Sequence, residues 1–279
     1  MTEPAVVIDG LALYSRGDGP PVLLVPDPQG FALAPAIDGP LATLLARGLE
    51  REVLTFDPPG AFRSRRRPRL GLGEMLDCIE EMLAAIGVHR RIDVLAHGQA
   101  TLVALAHAME RPDRVRRLVL VGAVDPDSSA IGLARRLPWG WRDARFWRFQ
   151  RLAAALALGL GSLARQKRLV QLMTEASFAD RGRAPHISPD PGDEHLPASR
   201  RARWRLRVRH PELFRHLRRV RCPTLVCVGR YDPLSSVRGA AAIAAGIPDA
   251  RLAVFESSGH FPFVEEPEHF RAEIGGFLR

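Results

Sequence analysis

The sequence predicts an α/β protein with a mostly parallel central sheet, flanked by helices and interrupted by a helical insertion. Three observations predict it. Short apolar runs alternate with segments of helical periodicity, the order produced by strands joined through crossover helices. The centres of these runs are β-branched and leucine-rich, which suits strands buried on both faces. Between about Asp125 and Val220 the alternation stops, and afterwards it resumes.

Six runs are read as strands: PPVLLVP (20–26), REVLTFD (51–57), RIDVLAH (91–97), VRRLVLVGA (115–123), CPTLVCVG (222–229) and ARLAVFE (250–256). Between them, GLGEMLDCIEEMLAAIG (71–87) places apolar residues three and four apart, and ATLVALAHAMERP (100–112) is a helix stopped by Pro112. The middle segment has two tryptophan-rich turns, a long Ala/Leu helix and a Pro- and His-rich stretch ending in RRARWRLRVRH (200–210). The expected organisation is a core from 1–124 and 220–279 and a helical lid, or cap, from 125–219.

With 279 residues and 46% hydrophobic content, the chain can bury a large core. Cys78, Cys222 and Cys227 are odd in number and lack the spacing of a disulfide framework or zinc site, which points to a reducing compartment. The N-terminus MTEPAVVIDG has no basic region leading into an apolar run, so the expected location is the cytoplasm. The nearly uncharged stretch Leu152 to Ala164 falls short of the roughly 20 residues that span a bilayer, so a lid helix is expected rather than a membrane segment. The net charge of +9 is unevenly placed: residues 131–219 hold 20 Lys+Arg against 7 Asp+Glu, and the other 190 residues hold 20 against 24. Without a helix-turn-helix, zinc-finger or RNP-like pattern beside it, that basicity does not predict nucleic-acid binding.

Four motifs occur in a telling order: FDPPGAFRS (56–64), AHGQA (96–100) after a strand and before a helix, GRYDPLSS (229–236) and SGHFPFVEEPEHF (258–270). Over nearly the whole chain this resembles the α/β-hydrolase fold superfamily, in its esterase and proline-iminopeptidase-like branch. That family displays a nucleophilic serine in a GxSxG turn between strand and helix. By this resemblance Asp232 stands at the position of the triad acid, His260 at that of the triad histidine and Gly98 at that of the nucleophile. Family Gly, Ser and Gly become Ala96, Gly98 and Ala100. Glycine has no oxygen to add to a carbonyl, so an acyl-enzyme is closed to it; it does tolerate the positive φ of such a turn. The oxyanion loop also departs from the pattern, because the first central strand runs into Pro26-Asp27-Pro28-Gln29-Gly30. In one register the donor position is Pro28, which has no N–H; in another, Gln29-Gly30-Phe31 supplies it.

Asp27, Pro28, Gln29, Gln99, Trp139 and Trp147 are the expected substrate-binding residues. Trp139, Trp141, Phe146, Trp147 and Phe149 lie among Arg142, Arg145 and Arg148, an interleaving that suits an aromatic or anionic small molecule and equally an amphipathic lid packing its aromatics on the core. His97 is read as a packing residue, Asp57 as a turn stabiliser, and His107 and His269 as surface or packing residues. No metal is expected, since no His and carboxylate cluster has ligand spacing, and no cofactor, since no glycine-rich dinucleotide fingerprint follows a strand. The sequence does not specify an oligomeric state.

Three functions remain open. One is an enzyme acting on a small carbonyl compound without an acyl step, with His260, oriented by Asp232, as general base on water or on a substrate proton. Isomerisation, cyclisation, elimination and C–C cleavage all fit it. The second is a serine ester or amide hydrolase whose nucleophile has been replaced by glycine. The third is a non-catalytic protein that holds a small molecule or a protein partner in the old pocket.

Overall fold

The computed structural model describes residues 2–28, 36–67, 69, 71–124, 137–158, 160, 162–184 and 211–279. Eight strands form one sheet: β1 (Val6–Ile8), β2 (Leu11–Arg16), β3 (Pro21–Val25), β4 (Glu52–Phe56), β5 (Ile92–His97), β6 (Val115–Val121), β7 (Thr224–Gly229) and β8 (Ala250–Phe255). Their spatial order is β1-β2-β4-β3-β5-β6-β7-β8. The pairs β1/β2 and β2/β4 are antiparallel, and from β4 to β8 every pairing is parallel.

Both faces of the parallel part are covered, which explains the unbroken apolar runs. In β5, Val94 and Ala96 enter one core while Leu95 enters the other; Leu118 and Leu120 of β6 are likewise split from Val119 and Val121, and Val226 and Val228 of β7 from Leu225 and Cys227. Period-two alternation sends successive side chains to opposite faces, so a strand sandwiched between helix layers must be apolar throughout. The first core is completed by α1 (Leu72–Ala85), α2 (Ala100–Glu110) and α5 (Val237–Gly246), and the second by the short helix α6 (Pro262–Glu265) and by α7 (Pro267–Leu278).

Between β6 and β7 lie α3 (Ala144–Ala157) and α4 (Leu163–Ser177), which share a small core of Leu137, Trp139, Phe149, Leu169, Leu172 and Ala176. The single Ala/Leu helix expected over 152–164 is a correction: α3 ends at Ala157, and Ser162 caps a new helix by accepting from Arg165 N at 3.3 Å. The sequence between the two helices carries two glycines, and glycine is a poor helix former. The rest of the expected lid, 125–136 and 185–210, lies outside the described residues. Among the described residues no helix is long and apolar enough to cross a membrane.

The antiparallel hairpin β1/β2 is an addition to the six expected strands. Its turn is Asp9-Gly10, with φ of 47° and 76°, the left-handed pair of a two-residue hairpin turn.

Candidate active site

The parallel strands end on one side of the sheet, and the candidate residues follow directly: Asp27 and Pro28 after β3, Gly98 after β5, Gly122 after β6, Asp232 after β7 and His260 after β8. Register holds these ends level, since Val25 pairs with Ala96, His97 with Val121, and Gly229 with Phe255. Ligands enter open α/β sheets at this carboxyl end of the strands.

His260 and Asp232 form a buried pair. The ring Nδ1 donates to Asp232 Oδ2 at 2.7 Å, and Asp232 Oδ1 accepts from Leu234 N at 2.8 Å and Ser235 N at 3.0 Å. With one oxygen held by the backbone, the carboxylate can turn only the other toward the ring, which fixes the tautomer with its proton on Nδ1. Nε2 therefore faces Gly98: a Cβ added to Gly98 would sit 3.2 Å from it. Gly98 has a φ of +59°, the left-handed conformation expected of a nucleophile turn. Its N donates to Val121 O at 2.9 Å, and its O accepts from Thr101 Oγ1 at 2.6 Å.

The histidine loop is held from three sides. His260 N donates to Ser177 O, at the end of α4, at 2.6 Å. The buried Glu265 accepts from Gly259 N at 2.8 Å and from Ala179 N at 2.7 Å, which ties the insertion to this loop; burial pushes its carboxyl pKa up, against these hydrogen bonds. His97 Nε2 donates to His260 O at 2.9 Å, and the two rings lie 4.4 Å apart. Burial, and next the neighbouring His260, lower the His97 pKa to about 3, so this ring is a neutral prop. The packing role expected of His97 agrees with that geometry.

Sequence reasoning missed Gly122, Ser177 and Glu265. Gly122 has a φ of +54°, and a Cβ there would lie 2.7 Å from His260 Cε1 and 2.8 Å from Nδ1. Its absent side chain is the floor on which the ring rests. The signal was the glycine closing the VLVG run of β6, read only as a strand end.

The other expected residues divide. Asp27 and Gln99 are half-buried and Pro28 is buried, Asp27 and Pro28 after the end of β3 and Gln99 at the start of α2, while Gln29 lies outside the described residues. Trp139 is 2% exposed in the insertion's own core, with Phe149 at 6.4 Å between ring centres. Trp147 is 53% exposed and donates from Nε1 to Trp141 O at 2.7 Å. Neither touches the His260–Asp232 pair, so the structure does not bring the tryptophans to it.

Asp57 accepts from the Tyr14 hydroxyl at 2.6 Å and from Arg63 N at 3.0 Å, holding its turn as expected; burial raises its pKa. His107 is fully buried against Glu80 at 2.9 Å, and His269 is half-exposed. Among the described residues no group of three His, Cys, Asp or Glu is arranged to hold a metal ion.

A mostly parallel sheet presenting an acid and a histidine at its strand ends, beside a glycine in a left-handed turn, is the architecture of an α/β hydrolase. The model of the alpha/beta hydrolase fold family matches residues 29–267, and the chain belongs to that family. It is similar, at 27% identity over 92% of this chain and 95% of the relative, to a pimeloyl-[acyl-carrier protein] methyl ester esterase of Nitrosomonas europaea. At 28% identity over 95% of this chain and 89% of the relative, it is similar to a 2-hydroxymuconate semialdehyde hydrolase of Pseudomonas putida. An esterase structure from Exiguobacterium antarcticum shares the fold with a TM-score of 0.70 at 18% identity, covering 96% of this chain and 95% of that one.

Proposed function

We propose that this chain is a hydrolase of small carbonyl compounds that works without an acyl-enzyme, with His260 as general base on a water beside Gly98. The observation that carries the reading is the 2.7 Å Nδ1–Oδ2 bond, which leaves Nε2 directed at a residue with no side chain. In the first step Nε2 takes a proton from the water, the water oxygen bonds to the carbonyl carbon, and the π pair moves to the carbonyl oxygen. In the second the tetrahedral centre collapses, and the departing group leaves with the proton held on Nε2. No bond to the protein forms. Asp232 supports the imidazolium between the two steps. The N-terminal end of α2, which begins at Ala100 directly after this turn, presents the positive end of its helix dipole to developing negative charge on the carbonyl oxygen. Asp27, Pro28 and Gln99 line the approach, and the insertion serves as the lid. The two relatives support a carbonyl substrate, since a methyl ester and a semialdehyde each carry a carbonyl by name.

A second reading, a serine hydrolase with its nucleophile replaced, is favoured by the room at residue 98: a Cβ 3.2 Å from Nε2 is tight yet bearable if the ring gives slightly. Turnover of p-nitrophenyl esters, aminoacyl anilides and a vinylogous 1,5-diketone separates the readings when measured on the chain itself, His260→Ala, Gly98→Ser and Gly98→Ser with His260→Ala. Activity of the unsubstituted chain that His260→Ala abolishes supports direct water attack. Activity found only in Gly98→Ser, and dependent on His260, sinks that reading in favour of the second. No activity in any folded variant leaves a binding protein.

A further inference from the structure

The opposite end of the sheet carries a second concavity. A cleft of about 830 Å³ opens at the N-terminal ends of β3, β4, β5 and β6, closed on one side by Arg271, Gly275 and Leu278 of α7. That volume lies within the range of small-molecule sites. On its floor Asp93, whose side chain is fully buried, receives Arg116 through both Nε, at 2.7 Å, and Nη2, and Arg51 Nη2 stands 3.4 Å away. Arg51 is itself buried, and burial lowers its guanidinium pKa despite the pull of Asp93. One carboxylate thus serves two guanidinium groups. The carbonyl of Leu278 accepts from both, but a dipole does not cancel a charge.

The walls add Arg47, Arg90, Arg91, Arg271 and Arg279. Arg91 is paired with Asp113 at 3.2 Å and Arg271 with Glu268 at the rim, and Glu50 is the other carboxylate of the lining. The seven arginines of the lining outnumber these four carboxylates by three, enough to accommodate a doubly charged anion. Removing charge from water without a counter-charge is costly, and convergent guanidinium forks match the oxygens of carboxylates and phosphates in geometry as well as sign.

We infer that this cleft binds a small doubly charged oxyanion, either a phosphate group or a dicarboxylate. Asp93 and His97 stand at opposite ends of β5, about 13 Å apart at 3.3 Å per residue, so the ligand does not touch the reacting atoms and its binding is independent of turnover. The test is titration calorimetry and thermal unfolding of the full chain with inorganic phosphate, pyrophosphate and succinate, each against sodium chloride at matched ionic strength. The variant is Arg47→Ser with Arg90→Ser, two exposed side chains whose loss leaves the floor intact. Saturable binding of one anion per chain is expected, weakened about tenfold or more in the double variant; whichever of the phosphate or succinate arms saturates identifies the source. Equal shifts with chloride, or binding unchanged in the double variant, overturn the inference. Binding of a DNA duplex with no response to the small anions overturns it too, by making this face a nucleic-acid surface.

Discussion

Gly98→Ala and Gly122→Ala form a matched pair that tests the geometry of the site. Both glycines are left-handed, at φ of +59° and +54°, so alanine incurs the same backbone strain at each, roughly 1–2 kcal/mol. The loss of unfolded-state freedom returns about 0.4–1 kcal/mol at both positions. Their surroundings differ. At Gly98 the new methyl sits 3.2 Å from Nε2 and 3.8 Å from Cε1 of His260, so a shift of a few tenths of an ångström suffices. At Gly122 it sits 2.7 Å from Cε1, 2.8 Å from Nδ1 and 3.4 Å from Asp232 Oδ2, so the ring must leave its place. Overpacking of that kind costs about 1–3 kcal/mol. Gly122→Ala should therefore be less stable than Gly98→Ala by that amount in urea unfolding. It should also lose the low-field proton signal of the His260 Nδ1 bond, which Gly98→Ala keeps. Equal midpoints and a retained signal in both variants would refute the claim that the ring rests on Gly122.

His97 makes stability acid-sensitive: its folded pKa lies near 3 against 6.5 ordinarily, so the unfolded chain binds the extra proton between these values. Each pH unit in that window costs up to about 1.4 kcal/mol. A His97→Gln variant should lose less stability than the parent between pH 7 and pH 4 in denaturant melts, and parallel losses would show that the ring is not held neutral. Glu265→Ala leaves Gly259 N and Ala179 N without their carboxylate partner and should destabilise by about 1.5–3 kcal/mol, with faster proteolysis of the insertion than of the sheet; uniform proteolysis would argue against a tie between the two. Trp139→Ala should cost about 3–5 kcal/mol through the cavity left in the insertion's core, while Trp147→Ala stays near neutral by thermal melting, and the reverse ranking would mean the exposed ring is the anchor.

What the sequence disclosed, and what it hid, follows from how each residue is buried. Strands β3 to β7 were legible because double-sided burial forces largely continuous apolar runs, and the edge strand β8, only partly buried, was legible from its own short apolar run. The hairpin β1/β2 was not, because β1 is a short edge strand with two of its three residues exposed; its Asp9-Gly10 turn was the available signal. His260, Asp232 and Gly98 could be read because each sits in a motif next to its own strand. Glu265 could not, because within FVEEPEHF it looks like a solvated acid, and only the fold brings two backbone N–H groups to it. Gly122 was hidden for a related reason: the ring that needs its missing side chain comes from a distant loop. The aromatic cluster left two alternatives open, ligand binding and lid packing, because tryptophan spacing does not say which ring faces inward; Trp139 and Phe149 pack in the insertion's core while Trp147 is exposed.

The hydrogen bonds around His260 narrow the chemistry further than the motif does. His97 gives its Nε2 proton to the His260 carbonyl, Asp232 gives one oxygen to the backbone and the other to Nδ1, and Ser177 accepts the backbone N–H. Each of these groups is committed to holding the ring, and none is left to exchange a proton with a substrate. His260 Nε2 is turned away from these holding contacts, and it points at Gly98. The possible functions therefore differ in one respect, which is the species that meets Nε2: a water, a proton of the substrate or, after Gly98→Ser, a hydroxyl group. On the proposed reading, a water held there is activated by the pair that would have activated a serine, and it adds to the carbonyl to give a tetrahedral centre that collapses without any bond to the protein.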